Sequence, residues 1–485
     1  MKYCLRAAAL LLSAALLLAA LGGCGIIIIH RGEPPVTTEG SETLPPPPAT
    51  SGDKPVTPEY REIRDYSADA AGFLASLPTG DYGGKGVIIA STKLSLYTGD
   101  DGCRLQTVSS ALHDRNRAVS RAMNVSLLFL GAAESELADK LREADDAGLY
   151  YADLLTVPAS AVAPLATEGL LLNLGSLPFV DTEAAYFSGT SADAFTAGKN
   201  TWALAGMASL DADLLPALYF NREPFDENRL DMPYRAVYEN TFTWDAFYSL
   251  FETLHASDNG LVIAADAQNG TDERFAAAGG RFIARGAENT PTLAVSAADA
   301  PLLSAISRLS ALPHYVGDGV ADAFFGDDRI LFYFGTVGGV GRGTSPTRWG
   351  LLPLPALTET DAAYPYRSLM PSSASVFVSP KLISGATLTG RLLSALNAAS
   401  YGVLLTAEAA GRSDADFRDL DSAYMLVQIG FGAVYDFTAG LGANDSMLTE
   451  LARGLVRRSV AGEDLRTLLK EQKDAIDALL ASFMP

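Results

Sequence analysis

Three apolar runs decide the fold: Val87-Ile88-Ile89-Ala90, Val125-Ser126-Leu127-Leu128-Phe129-Leu130 and Asp153-Leu154-Leu155-Thr156-Val157. Each run is short and rich in the aliphatic and aromatic residues that buried strands favour. Between them, over residues 105–123 and 134–147, apolar residues recur at steps of three, four or seven, which predicts a helix in each gap. Apolar strands that alternate with amphipathic helices predict a largely parallel sheet covered on both faces.

The same alternation continues towards the C-terminus. Further strands are predicted at residues 217–221, 261–264 and 327–334, a helix begins near Thr243-Trp244-Asp245, and the last third is mostly helical. The chain has 485 residues, far above the roughly 150 of an average domain. We therefore expect at least two lobes.

The first residues predict export. Lys2 and Arg6 precede an uninterrupted apolar run over residues 7–21, which is typical of a signal peptide and short for a bilayer span. Leu21-Gly22-Gly23-Cys24 follows and resembles a bacterial lipobox, whose cysteine is acylated. The alternative is an ordinary signal peptide with a chance cysteine at this position. The Pro-rich segment after Cys24 predicts an extended spacer, followed by a short helix near residues 60–77.

Composition excludes several classes of partner and site. The net charge of −21 argues against a nucleic-acid partner, because phosphate recognition needs clustered Lys and Arg. Four scattered histidines and three cysteines form no Cys/His cluster, so we predict no metal and no cofactor. If Cys24 carries lipid, Cys103 has no disulfide partner beyond the signal peptide.

No motif for catalysis stands out. The glycine-rich stretch over residues 335–345 follows a predicted strand but lacks the lysine of a phosphate-binding loop and the spacing of a dinucleotide fingerprint. Gly-x-Ser-x-Gly is absent, and adjacent acidic pairs such as Asp145-Asp146 are explained by solvation. We therefore predict a protein that is not an enzyme.

Ordered stretches of the chain carry a family resemblance. They are Tyr151-Ala152-Asp153-Leu154-Leu155, Gly198-Lys199-Asn200-Thr201-Trp202-Ala203-Leu204, Tyr219-Phe220-Asn221-Arg222-Glu223-Pro224-Phe225, Phe242-Thr243-Trp244-Asp245, Trp349-Gly350-Leu351-Leu352-Pro353-Leu354-Pro355 and Val434-Tyr435-Asp436-Phe437. Together they resemble the bacterial extracellular solute-binding proteins of family 1, the lipid-anchored receptors of ABC importers. The resemblance covers nearly all of residues 86–485.

The resemblance implies a two-lobed α/β fold of the type II periplasmic-binding-protein kind, with a mainly parallel sheet in each lobe and a hinge between them. The predicted organisation is a signal peptide at 1–23, a lipid-anchored linker and short helix at 24–84, lobe 1 at 85–197 plus 335–398, and lobe 2 at 198–334 plus 399–485. The chain would cross the hinge near Gly198, Gly335 and Ala399.

The resemblance also implies a ligand, partners and a binding cleft. The ligand would be a small polar solute, a sugar or oligosaccharide, delivered by a monomeric receptor to ABC permease subunits at the cell membrane. Family loops and side-chain chemistry together suggest these ligand-binding residues: Asp211, Gln268, Asn269, Asp272, Tyr366, Arg367, Tyr435 and Asp436. Two alternatives stay open: a receptor that presents its ligand to a membrane sensor, and an extracytoplasmic glycan hydrolase.

Overall fold

Fifteen strands and seventeen helices can be followed in the computed structural model, which describes residues 62–78, 80–99, 105–258, 260–266, 270–286, 290–312, 315–319, 329–339, 349–359, 365–413, 419–436 and 443–481. The strands are β1 Lys85–Ser91, β2 Val125–Gly131, β3 Leu154–Pro158, β4 Thr196–Ala197, β5 Asn200–Thr201, β6 Pro216–Asn221, β7 Val262–Asp266, β8 Ile283–Arg285, β9 Pro291–Leu293, β10 Tyr315–Gly319, β11 Ile330–Thr336, β12 Trp349–Leu352, β13 Ser368–Leu369, β14 Ser375–Val378 and β15 Ala433–Val434. The helices are α1 Ser67–Ser76, α2 Ser95–Thr98, α3 Gln106–Met123, α4 Glu134–Asp146, α5 Val162–Thr167, α6 Ser191–Phe195, α7 Glu223–Asn228, α8 Tyr234–Tyr238, α9 Trp244–Ser257, α10 Thr271–Ala277, α11 Ala300–Ala311, α12 Ala386–Ser400, α13 Val403–Arg412, α14 Leu420–Phe431, α15 Ala443–Val460, α16 Leu465–Glu471 and α17 Lys473–Ala481.

The first sheet has the strand order β14-β3-β1-β2. Strand β1 pairs in parallel with β2 and β3, and β14 pairs antiparallel with β3. Val87 and Ile89 of β1 are fully buried, as a central strand between two helical layers requires. The strands predicted from the three apolar runs are therefore confirmed and lie side by side.

The second sheet has the order β10-β7-β11-β6-β12. Strands β10, β7 and β11 are parallel, whereas β6 runs antiparallel to both of its neighbours, so this sheet is mixed rather than mainly parallel. All six residues of β6 are buried, which places this strand at the centre of the lobe. The predicted two-sheet α/β architecture is confirmed.

An aromatic core fixes helix α9 on the second sheet. Thr243 caps the helix by accepting a hydrogen bond from the Ala246 amide at 3.2 Å. One turn on, the ring of Phe247 lies 4.9 Å from that of Phe332 on β11, and both side chains are fully buried. Burying aromatic rings of this size is a large favourable term in folding.

The chain passes between the two sheets at positions that differ from the predicted hinge. Leu204 still bridges to Phe377 beside the first sheet, and β6 begins in the second sheet at Pro216. The chain returns between β12 and β14, so the strand Trp349–Leu352, predicted in lobe 1, pairs with β6 of the second sheet. The predicted boundary at residue 335 therefore does not follow the sheet pairing, because an edge strand of four buried residues shows no alternation that would reveal its partner.

A small parallel sheet of β13 and β15 lies where the main sheets meet, pairing Ser368 with Ala433 and Leu369 with Val434. On the side of the first sheet, helix α12 packs against α1 and α3. On the side of the second, α15 packs against α10 and α11. Within the described ranges, no helix combines the length and the apolar character needed to cross a bilayer.

Candidate functional site

Three cavities lie in a row around the junction of the sheets. Cavity A, of about 230 Å³, is lined by α6, the segment before β8, and the β13–β15 sheet. Cavity B, of about 300 Å³, shares Tyr435 with cavity A. Cavity C, of about 250 Å³, shares Met207 and Leu210 with cavity B and extends to Lys93 and Asp211.

The walls of cavity A belong to the two different lobes. Phe195 of α6 accepts a 2.9 Å hydrogen bond from the Trp202 amide, and Leu204, two residues further on, pairs with Phe377 of β14 in the first sheet. Opposite, Phe282 packs in the core that contains Phe332 of β11, in the second sheet. A cavity between walls of two lobes is where a ligand can contact both at once.

Tyr435 joins cavities A and B. Its backbone amide donates a 2.7 Å hydrogen bond to Oγ1 of Thr190, which fixes the end of β15 against the wall that carries α6. The side chain is only 7% exposed, and its hydroxyl has no hydrogen-bond partner among the described residues. Burial raises the pKa of this hydroxyl, and the nearby Tyr97 and Asp211 raise it further, so the hydroxyl stays protonated. An unsatisfied buried hydroxyl costs about 1–3 kcal/mol, which a polar ligand can recover.

Asp211 lines cavity C and is engaged by the protein itself. Lys93, just after β1, forms an ion pair with the Asp211 carboxylate. The side chain of Asp211 is only 6% exposed. The same carboxylate accepts a 3.2 Å hydrogen bond from the Asp213 amide and caps the short 3₁₀ turn at Ala212–Leu214. Asp211 therefore connects the end of a strand in the first sheet to the segment that crosses to the second sheet.

Charged side chains from both lobes line cavity A. Arg285 of β8 donates a hydrogen bond from Nη2 to the backbone carbonyl of Asp193 on α6, which joins the two walls. Arg367 precedes β13, and Asp436 follows β15. Burial lowers the pKa of the Arg367 guanidinium, and the positive charge of Arg281 lowers it further.

The predicted site residues separate into three groups. Arg367, Tyr435 and Asp436 are brought together in cavity A, and Asp211 lies in cavity C. Asp272 is instead held by Arg457, whose Nε donates at 3.0 Å, and Tyr366 accepts a 3.3 Å hydrogen bond from the Phe242 amide inside the core. Gln268, Asn269 and the proposed lipidation site Cys24 lie outside the described residues.

Sequence reasoning missed part of cavity A. Asp193, Arg281 and Arg285 line it, yet none lies in a loop that the family resemblance marked as cleft-forming. The adjacent Gly279-Gly280, which ends the α10 turn, is the signal in the sequence that a loop begins there. As for metals, no group of three or more His, Cys, Asp or Glu side chains within the described ranges could hold an ion.

Comparisons with known proteins place the fold. No protein-family model matches the sequence, and no curated protein matches it significantly. Among solved structures, the chain is similar to the sugar-binding protein MalE from Xanthomonas citri (13% identity, 82% of this chain and 98% of that chain, TM-score 0.53). It is also similar to an extracellular solute-binding protein from Staphylococcus aureus in complex with maltose (11% identity, 83% and 99%, TM-score 0.53). A third is the cyclic α-maltosyl-1,6-maltose binding protein from Arthrobacter globiformis (15% identity, 82% and 99%, TM-score 0.51). The resemblance seen in the sequence is thus confirmed at the level of the fold: this chain has the two-lobed α/β fold of MalE-like solute-binding proteins.

Proposed function

We propose that this protein captures a carbohydrate between its two lobes and delivers it to the permease of an ABC importer. The observation that carries the proposal is the position of cavity A, where walls from both lobes meet in a fold shared with sugar-binding proteins, and of cavity B, which adjoins it at Tyr435. Tyr435 supports it further, because a buried tyrosine offers both an aromatic face and an unsatisfied hydroxyl to a sugar.

Capture alone suffices for this function. A ligand that contacts both walls favours the state in which the lobes are closed, and a permease can distinguish that shape from the open one. Such a receptor needs no bond-making groups. We infer that the protein acts as a binding protein and not as an enzyme.

A thermal-unfolding screen of the purified full chain against neutral and acidic mono- and oligosaccharides, amino acids, peptides and polyamines tests the proposal. A ligand at about 100 times its Kd stabilises the folded state by about 2.7 kcal/mol, which raises Tm by several degrees. We expect such a shift with at least one saccharide. Shifts with peptides or polyamines alone would contradict the carbohydrate assignment.

Two matched tyrosine variants locate the site. Tyr435→Phe removes the hydroxyl from cavities A and B, whereas Tyr366→Phe removes one from the core. We expect the first to weaken saccharide binding severalfold and the second to leave it unchanged. Equal effects of the two variants on saccharide binding would show that the ligand does not contact the Tyr435 hydroxyl.

We propose further that Cys24 carries the lipid that holds the protein at the outer face of the cell membrane. The lipobox-like Leu21-Gly22-Gly23-Cys24 supports this. Mass spectrometry of the mature N-terminus should detect an acyl-modified cysteine, and Cys24→Ser should release the protein from the membrane fraction. An unmodified Cys24 in membrane-bound protein would refute the lipid anchor.

A further inference from the structure

Cavity A is rich in arginine although the protein as a whole is strongly acidic. Arg281, Arg285 and Arg367 come from three separate positions along the chain and line the same cavity. Among the described residues, two carboxylates, Asp193 and Asp436, line it as well, which leaves an excess of one positive charge in this part of the lining. In a chain with a net charge of −21, a cavity of the opposite sign marks a local requirement for positive charge.

The other two cavities lack this excess. In cavity C the cations are paired with acids of the same cavity: Lys93 with Asp211, and Arg412 with Asp213 and Glu408. Among the described residues that line cavity B, the one acidic or basic side chain is that of Glu183, an acid. Among these three cavities, positive charge without a matching acid is confined to cavity A.

Arg367 is one of the three arginines that line cavity A. It is half-buried, and its guanidinium forms no ion pair or hydrogen bond with any of the described residues. The neighbouring Arg281 likewise has no such partner in that part of the chain. Two guanidiniums close enough to lower a pKa repel each other, and partial burial weakens the screening by water. A bound anion would relieve that repulsion.

We infer that cavity A binds the acidic group of a carbohydrate, so that the ligand is a carboxylate-bearing sugar of the uronic-acid kind. This inference rests on the proposed function and narrows its substrate class. The planar guanidinium matches a carboxylate in bidentate geometry, which a lysine cannot do. Arg367 lines the same cavity as Tyr435, so the carboxylate and the ring of one sugar can be held together.

Isothermal titration of the full chain with matched saccharides tests the inference. The probes are digalacturonate and glucuronate, their neutral counterparts galactobiose and glucose, and inorganic phosphate and sulfate. We expect an acidic saccharide to bind at least tenfold more tightly than its neutral counterpart, with an affinity that falls as salt rises. Arg367→Gln should weaken the acidic saccharide tenfold or more and change binding of the neutral one less than twofold.

Arg117→Gln is the matched control, because it removes an exposed arginine of α3 that lines none of the three cavities. Arg281→Gln is a second test variant at an exposed position, and should weaken the acidic saccharide without loss of folding. Equal affinity for acidic and neutral saccharides would overturn this inference and leave the proposed function standing. Binding of phosphate or sulfate without any acidic saccharide would overturn it too. If no saccharide binds, the proposed function itself fails and the inference with it.

Discussion

Arg412 should hold the first segment that joins the two sheets against helix α13 and the turn after β11. Its side chain is 2% exposed, and Nε donates a 2.6 Å hydrogen bond to Glu408 one turn earlier on α13. Nη2 pairs with Asp213 in the first crossing segment, and Nη1 donates at 3.2 Å to the carbonyl of Val337, just after β11. One guanidinium therefore ties helix α13 to the first crossing segment and to the turn after β11.

We predict that Arg412→Met lowers the free energy of unfolding by about 3 kcal/mol. Removing one partner of a buried ion pair costs about 3–5 kcal/mol, because the other charge is left buried. The estimate lies at the lower end because Asp213 is 42% exposed and can be solvated, whereas Glu408, 17% exposed, cannot. For lobes of this size the loss corresponds to a fall in Tm of roughly 6–12 °C.

Urea unfolding of the purified full chain, followed by tryptophan fluorescence, measures this loss. The double variant Arg412→Met with Glu408→Leu also removes the Glu408 carboxylate, which the single variant leaves without a partner. It should recover at least about 1 kcal/mol of the lost free energy of unfolding, since a buried ion pair can be replaced by apolar groups. Arg117→Met, which breaks an exposed ion pair with Asp114, should cost at most about 1 kcal/mol. If Arg412→Met unfolds like Arg117→Met, or if the double variant recovers nothing, the reasoning is refuted.

Three further predictions concern stability. Phe247→Ala empties a fully buried site beside Phe332 and should cost about 3–5 kcal/mol in urea unfolding; a loss below 1 kcal/mol would mean that the core repacks freely. Asp419 accepts hydrogen bonds from the Asp421 and Ser422 amides at the start of α14, so Asp419→Ala should cost about 1–2 kcal/mol and Asp419→Asn clearly less, which the same unfolding curves would detect. Burial raises the pKa of Glu273 above its unfolded value, so ionisation of this carboxyl destabilises the protein at neutral pH. Glu273→Gln should therefore raise stability at pH 7, with a gain that shrinks as the pH falls below the native pKa and is lost below the unfolded pKa; a gain independent of pH would contradict this.

The sequence predicted the interior strands of both sheets but, apart from β2, not their edges. Strands β1, β3, β6 and β11 are apolar runs, and burial between helices accounts for such runs. Strand β2, also predicted from its apolar run, is an edge strand whose Leu128 is 50% exposed. The strands β12 to β15 have two to four residues each and exist through pairing with distant segments. Local pattern carries no information on such pairing, so it could not correct the return crossing near Gly335 that the family resemblance implies, whereas the structure has this crossing after Leu352.

The predicted site residues show the same division. Arg367, Tyr435 and Asp436 flank strands of the β13–β15 sheet, and their positions in family loops put them at the junction of the lobes. Asp272 has the same polar chemistry and also follows a predicted loop, but its carboxylate is occupied by an arginine 185 residues later in the chain. Whether an acid is open to a ligand thus depends on a tertiary partner that its neighbours in sequence do not reveal.

The distribution of polar contacts suggests how such a protein moves. Contacts across the cavity walls, such as that from Arg285 to the Asp193 carbonyl, lie at the exposed rim, where water can replace them at little cost. The Arg412 guanidinium that contacts the first crossing segment is itself buried, and breaking its ion pairs would leave a buried charge without a partner. The weak contacts therefore lie where the lobes must separate, and the strong ones lie where the chain must stay connected. We expect the lobes to open as rigid bodies about intact crossing segments, since the walls can exchange their contacts for a ligand and the hinge cannot.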